Sequence, residues 1–240
     1  MNCEKLEKDL IHWLREYSRK ANTKGIVYGL SGGIDSAVVA VIGKKAFDNN
    51  SLGIIMPINS LKSDMEDAVL LANAFDINYI TIDLSENYND LIKKLEKNKN
   101  EMAYANIKPR LRMITLYYYA QNNNYLVSGT TNLSEYTIGY STKFGDAAVD
   151  ISPLLDLTKT EVLEFAKYLG IPKKIIDKKP SAGLWEGQSD EDELGFTYKE
   201  LDNYILTGQG SDEFIKKVEH LKKISQHKKH MPEKFIYRGE

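Results

Sequence analysis

Apolar residues recur at three- and four-residue spacing from Leu6 through Leu10, Trp13 and Leu14 to Tyr17. That spacing predicts an amphipathic first helix ending before Asn22 and Gly25. Three short β-rich runs follow, at residues 25–30, 52–56 and 78–82, separated by helical patterns over 36–49 and 63–75. Strands alternating with helices predict an α/β fold, a doubly wound parallel sheet flanked by helices with right-handed crossovers. A charged stretch at 88–100 reads as a solvated helix leading into a second helix at 103–121. The run Tyr117, Tyr118 and Tyr119 covers more of that helix than one buried face needs, which suits contact with a partner subunit. Residues 125–128 form the next strand. The helix at 158–169 opens on a capping box, Thr158 to Glu161, and closes at Gly170 and Pro172. Residues 178–195, polar and long, read as a lid. Helices at 198–206 and 211–225 lead to a basic tail beginning at His227.

With 42% apolar and 28% charged residues over 240 positions, the chain has an ordinary globular composition and enough length for one sizeable core. No repeat or linker divides it, so residues 1–240 are expected to form a single domain. A net charge of −2 gives no global positive field to recruit nucleic acid, and no membrane partner is expected. Cys3 stands alone, which excludes an intrachain disulfide or a CxxC pair. The N-terminus reads as neither a signal nor a transit peptide, and no run of about 18 apolar residues occurs. A cytoplasmic location is expected.

Chemistry concentrates where the first strand meets its helix, at Gly29, Leu30, Ser31, Gly32, Gly33, Ile34, Asp35 and Ser36. Adjacent glycines let the backbone turn sharply with its amides unobstructed, and a helix N-terminus adds donors and a positive dipole end. An anion such as phosphate is expected there. The Walker pattern needs lysine where Asp35 stands, so this is a different phosphate loop, and a carboxylate there suits magnesium. Glu135, past the end of the fourth strand, offers a second hard oxygen ligand. Taken alone, Glu135 also reads as a carboxylate at a helix start.

The segment from Ser31 to Ser36 resembles the S-G-G-x-D-S pyrophosphate loop of the N-type ATP pyrophosphatases, whose fold is adenine nucleotide alpha hydrolase-like, a Rossmann-like architecture. More narrowly, the chain is similar to the ammonia-dependent NAD synthetases in motif order. The matching stretches are residues 108–113, Gly129-Thr130, Glu135, residues 139–146, Asp150, residues 157–159, residues 188–191 and His227-Lys228. The resemblance implies that residues 29–36 bind ATP phosphates with Thr130, Lys159 and Ser181, and that Asp35 and Glu135 hold magnesium. It implies that Arg110, Lys143, Asp150, His227 and Lys228 hold deamido-NAD. The position of Ser181 is commonly threonine in that family, but serine keeps the hydroxyl.

Implied too is the reaction: ATP-dependent amidation of deamido-NAD with free ammonia through an adenylate, by a homodimer whose interface includes the helix at 103–121. No step needs a protein nucleophile, with Asp35, Lys159 and Glu135 supplying charge, and a lone Cys3 gives no room for the amidohydrolase domain of glutamine-using relatives. Two other readings remain: a tRNA-modifying enzyme on the same loop, which would usually carry CxxC pairs and a basic appendage, and a nucleotide-binding sensor, which would need neither Lys159 nor Glu135.

Overall fold

β1 (Gly25–Gly29) is buried over its first four residues, as befits a central strand covered on both faces. In the computed structural model, which describes residues 1–97, 99–181 and 189–237, it lies between β2 (Ser51–Ile55) and β4 (Tyr125–Val127). β3 (Asn78–Thr81) flanks β2, and the four parallel strands run in the order β3-β2-β1-β4. Ile26 pairs with Ser51 on one side and Leu126 on the other.

Strand geometry sends alternate side chains to opposite faces. Ile26 and Tyr28 enter one apolar cluster with α1 (Cys3–Lys20), α2 (Ile34–Phe47) and α3 (Lys62–Ala74). Val27 enters the other with Tyr88 of α4 (Ser85–Lys94) and Ala120 of α6 (Ile107–Asn123). A short α5 (Glu101–Ala105) precedes α6. Arg15 of α1 donates to the carbonyls of Lys45 and Ala46, satisfying groups that the end of α2 leaves without helical partners.

Past β4 come α7 (Leu133–Ile138), α8 (Lys159–Tyr168) and α9 (Lys173–Ile176). α8 and α9 complete the first cluster through Val162, Phe165 and Ile175. A third cluster joins Ile138 of α7 to Leu194 of α10 (Asp190–Leu194), Leu201 of α11 (Tyr198–Thr207) and Val218 of α12 (Asp212–Ser225). Among the described residues no helix is long and apolar enough to cross a membrane.

The strands and the helix capped by Thr158 lie within about two residues of expectation, but three assignments change. The expected helix at 88–100 begins earlier, where Asp83 accepts from the Ser85 amide, and ends at Lys94 because Leu95 turns extended. The helix expected at 103–121 is broken at Asn106, because Pro109 has no N–H to donate to the carbonyl of Ala105 and its ring would crowd that carbonyl. Of the expected lid, residues 190–194 form α10, and residues 182–188 lie outside the described residues.

The strand order reverses at β1, with β2 to one side and β4 to the other. The segments leaving β1 and β4 therefore open into one crevice beyond the carboxyl edge, where doubly wound sheets bind ligands.

Candidate active site

The loop after β1 is stapled by its own hydroxyls. Ser36 Oγ donates to the carbonyl of Gly33 at 2.9 Å and lies 3.0 Å from Ser31 Oγ, which accepts from the Gly33 amide at 3.2 Å. Gly32 has φ +77°, and a Cβ there would sit 2.3 Å from the carbonyl oxygen of Asp64. Only glycine fits this turn at this approach. Gly33 caps α2 with no side-chain acceptor, so the first amides of α2 keep their donors for an anion.

Three side chains from separate elements meet beside that helix start. Lys159 Nζ, at the first position of α8, donates to Asp35 Oδ2 at 2.5 Å and to Glu135 Oε1 at 3.0 Å. Asn132 Nδ2 donates to Asp35 Oδ1 at 2.9 Å, and Asn132 Oδ1 accepts from the Glu135 amide at 3.0 Å. Glu135 takes the helix-start role that its sequence position suggested, and that role uses only one of its two oxygens. Its Oε2 closes the capping box of α7 on the Asn132 amide, while Oε1 faces the lysine.

Two partly buried carboxylates therefore share one ammonium. Burial, reinforced by the Asp35 carboxylate and opposed by Lys159, pushes the Glu135 carboxyl up to about 7. For Lys159, burial works against the charge, but Asp35 and Glu135 outweigh it and hold the ammonium firmly protonated. A cluster short of positive charge, built from hard oxygens beside an anion-ready helix end, fits magnesium, which takes one or two protein carboxylates and fills its shell with phosphate and water. Among the described residues no group of three or more His, Cys, Asp or Glu side chains forms a complete metal cage.

Support for Lys159 extends through Tyr198, whose ring centroid lies 5.2 Å from Nζ. The Tyr198 hydroxyl donates to Asp190 Oδ2 at 3.1 Å, and Tyr140 donates to Oδ1 of the same carboxylate at 3.1 Å. Asp190, buried at the start of α10, belongs to the motif at 188–191.

A second charged group lies under the loop. Asp67 is buried, with Cβ 3.2 Å from where a Gly32 side chain would begin. Lys178 donates to Asp64 at 2.7 Å and to Asp67 at 2.9 Å, and Lys174 Nζ lies 2.6 Å from Asp67 Oδ1. Burial raises the Asp67 carboxyl, but Lys174 and Lys178 together more than reverse this, leaving it below the ordinary range. Lys178 leads directly to Ser181, which is exposed at the edge of the described residues.

The other expected ligands divide. Thr130 follows Gly129, whose amide bonds the carbonyl of Ile151 at 2.8 Å, and so lies at the crevice. Arg110 is exposed and donates to the backbone carbonyl of Lys143 at 3.1 Å, which joins the two segments that carry these residues. Asp150 is committed to the fold: Oδ2 accepts from the Val127 amide at 2.8 Å and Oδ1 from the Tyr117 hydroxyl at 3.2 Å. Lys228 donates to the carbonyls of Gly139 and Ser141, both at 2.8 Å, while the neighbouring His227 is exposed.

Sequence reasoning overlooked Asn132, Tyr198 and the Asp67 group. The spacing of Asn132 and Glu135 is a legible capping box, but Tyr198 and Asp67 carry no local signal. It also overstated the tyrosine surface of α6. Tyr117 and Tyr119 pack on the second cluster, leaving Tyr118 and Ile114 exposed, one turn apart.

The NAD synthase family matches residues 6–233. The NH3-dependent NAD+ synthetase of Carboxydothermus hydrogenoformans is 55% identical over 97% of this chain and 98% of that protein. An NMN synthetase structure from Francisella tularensis superposes with a TM-score of 0.94 at 38% identity, covering 99% of this chain and 100% of that one. An NH3-dependent NAD synthetase from Campylobacter jejuni does so at 0.83 and 30% identity, covering 98% and 100%. Full-length matches of this kind, over a phosphate loop whose aspartate meets Glu135 and Lys159, place the chain in the NAD synthase family.

Proposed function

We propose that residues 1–240 act as one ammonia-dependent NAD synthetase domain, a carbon–nitrogen ligase that completes NAD synthesis in the cytoplasm. The observation that carries this reading is the meeting of Asp35, Glu135 and Lys159 at the uncapped start of α2. The amides of that helix and loop cradle the ATP polyphosphate, with Thr130 and Ser181 as further contacts. Asp35 and Glu135 would hold magnesium, which supplies positive charge against the phosphates. Arg110, Lys143, Asp150, His227 and Lys228 would bind deamido-NAD; for Asp150 and Lys228 this adds to their structural bonds.

In the first step an oxygen of the nicotinate carboxylate bonds to the α-phosphorus of ATP, and the bond from that phosphorus to its bridging oxygen breaks, releasing pyrophosphate. Ammonia then bonds to the activated carbonyl carbon, loses a proton, and displaces AMP. No protein nucleophile takes part. The chain contributes in-line placement and electrostatic stabilisation, Lys159 offsetting charge as pyrophosphate leaves.

The test is direct. Purified protein given deamido-NAD, ATP, magnesium and ammonium should form NAD with one AMP and one pyrophosphate each. Glutamine in ammonia-free buffer should not replace ammonium, and efficient glutamine use would overturn the assignment of donor. Similarity to the F. tularensis NMN synthetase motivates a parallel arm with nicotinic acid mononucleotide. Faster amidation of the mononucleotide would move the assignment to that substrate.

The active species is a homodimer joined in part through α6, whose Ile114 and Tyr118 are 61% and 65% exposed. Light scattering at low micromolar concentration should give twice the chain mass. A monomeric parent, or a dimer unaffected by Ile114→Glu with Tyr118→Glu, would remove α6 from the interface.

A further inference from the structure

The α2 and α8 helix starts, both at the active cluster, are treated in opposite ways. α2 presents amides without a side-chain acceptor. At α8 the first three amides are all taken by protein: Lys159 N–H donates to Ser134 Oγ at 2.9 Å, Thr160 N–H to Asp202 Oδ2 at 2.7 Å, and Glu161 N–H to Thr158 Oγ1 at 3.3 Å. One start is left open for a ligand, and the other is locked.

Asp202, on α11, does most of the locking. It is 3% exposed, and no cation pairs with it among the described residues. Thr160 Oγ1 donates to Oδ2 at 2.6 Å, and the Ser134 hydroxyl donates to Oδ1. Burying a carboxylate without a counter-cation is costly, and here three hydrogen bonds and the positive end of α8 offset that cost. The capping box of Thr158 and Glu161 already terminates α8, so Asp202 is not needed to start that helix.

What Asp202 adds is register between two helices. Ser134 precedes Glu135 on α7, and Thr160 follows Lys159 on α8. One carboxylate thus grips the residue beside the acidic ligand and the residue beside the ammonium, and Ser134 relays the grip to the Lys159 amide.

We infer that Asp202 is a positioning residue that fixes the Lys159 amine relative to Glu135 through Ser134 and Thr160. This rests on the synthetase reading of the site, since its consequence is read in that reaction. Misplacing a charged group by about 1 Å can cost roughly a hundredfold in rate. The expected signature is a loss in kcat with the KM for ATP little changed, because the α2 amides that bind the polyphosphate are untouched.

The experiment compares the parent with Asp202→Asn, Ser134→Ala and the double variant, and uses Val218→Ala, in the third cluster, as a purely structural control. Asp202→Asn should lower kcat by about tenfold to a hundredfold, Ser134→Ala should lower it less, and the double variant should be no worse than Asp202→Asn alone. Hydrogen exchange, which needs no substrate, should show the Lys159 amide losing protection in both single variants. Val218→Ala should lower the melting temperature and leave kcat in place. Should Asp202→Asn fail to fold, Ser134→Ala alone decides, by kcat and by Lys159 exchange. Unchanged kcat in the folded variants, full multiplication of losses in the double variant, or a kcat loss in Val218→Ala matching its loss of stability would each overturn the inference. A parent that forms no amide from deamido-NAD would overturn the synthetase reading instead, and the exchange of the Lys159 amide would still report on the grip.

Discussion

Two partly buried charge clusters flank the same glycine-rich loop and are built to opposite rules. In the upper one, Asp35 and Glu135 share the single ammonium of Lys159. In the lower one, Asp64 and Asp67 face two ammoniums, Lys174 and Lys178. The lower cluster is neutral and ties α3 to α9 and the segment after it. In the upper one burial above all, with the Asp35 charge added to it and Lys159 opposing, raises the Glu135 carboxyl, so that two acidic groups face one ammonium and a further cation would be favoured there. Pairing completed by the protein gives rigidity, whereas pairing left incomplete prepares a site for a ligand.

The contrast can be broken most severely at the upper cluster. Asp35→Asn or Glu135→Gln should lower turnover by about a hundredfold or more, while the melting temperature stays close to that of the parent, because neither change removes core volume. Near-normal activity at saturating magnesium in either variant would remove that residue from the metal pair.

Gly32→Ala tests the junction between the clusters. A left-handed backbone costs a non-glycine residue roughly 1–2 kcal/mol, and the new Cβ would also meet the Asp64 carbonyl. Both the melting temperature and ATP affinity should fall, and an unaffected KM for ATP would separate the loop from the lower cluster.

Asp67→Asn should act on stability more than on rate, costing about 1–3 kcal/mol by leaving Lys178 and Lys174 against a neutral amide. The sign of its pH dependence follows from the lowered carboxyl. Stability from Asp67 is present above the unfolded value of 3.8 and lost as pH falls through the still lower folded value. Denaturation of parent and variant should therefore differ at pH 7, draw together once pH falls below 3.8 and meet only below the lower folded value. A gap that persists in acid would assign the loss to something other than charge.

The smallest effect belongs to Lys174, whose side chain is 57% exposed. Lys174→Ala should change stability by about 1 kcal/mol or less, and a larger loss would show that Lys178 alone cannot neutralise Asp67.

The phosphate loop was legible because a strand, two glycines and a helix start are contiguous in the chain. So was the helix of residues 158–169, since Thr158 and Glu161 form its capping box within one turn. Glu135 could be read as a candidate but not resolved, because whether a helix-start carboxylate also serves a ligand depends on what its second oxygen faces. The break at Asn106 was open to inference from Pro109, but the apolar pattern across it is continuous and points to a single helix. Tyr117 looked like a surface residue because its bond to Asp150 joins positions far apart in the sequence.

By itself the sequence determined the order of strands and helices, the glycine turn after β1 and the identity of the charged groups, because each depends on residues within a few positions of one another. Tertiary structure alone decided which charges meet. Asp35, Glu135 and Lys159 come from three helices brought to one crevice by the reversal of strand order at β1. Asp67 finds Lys178, and Asp202 finds Ser134 and Thr160, only after α3, α7, α8 and α11 have packed. Coulomb and hydrogen-bond energies act over a few ångströms, and folding, not proximity in the chain, sets those distances.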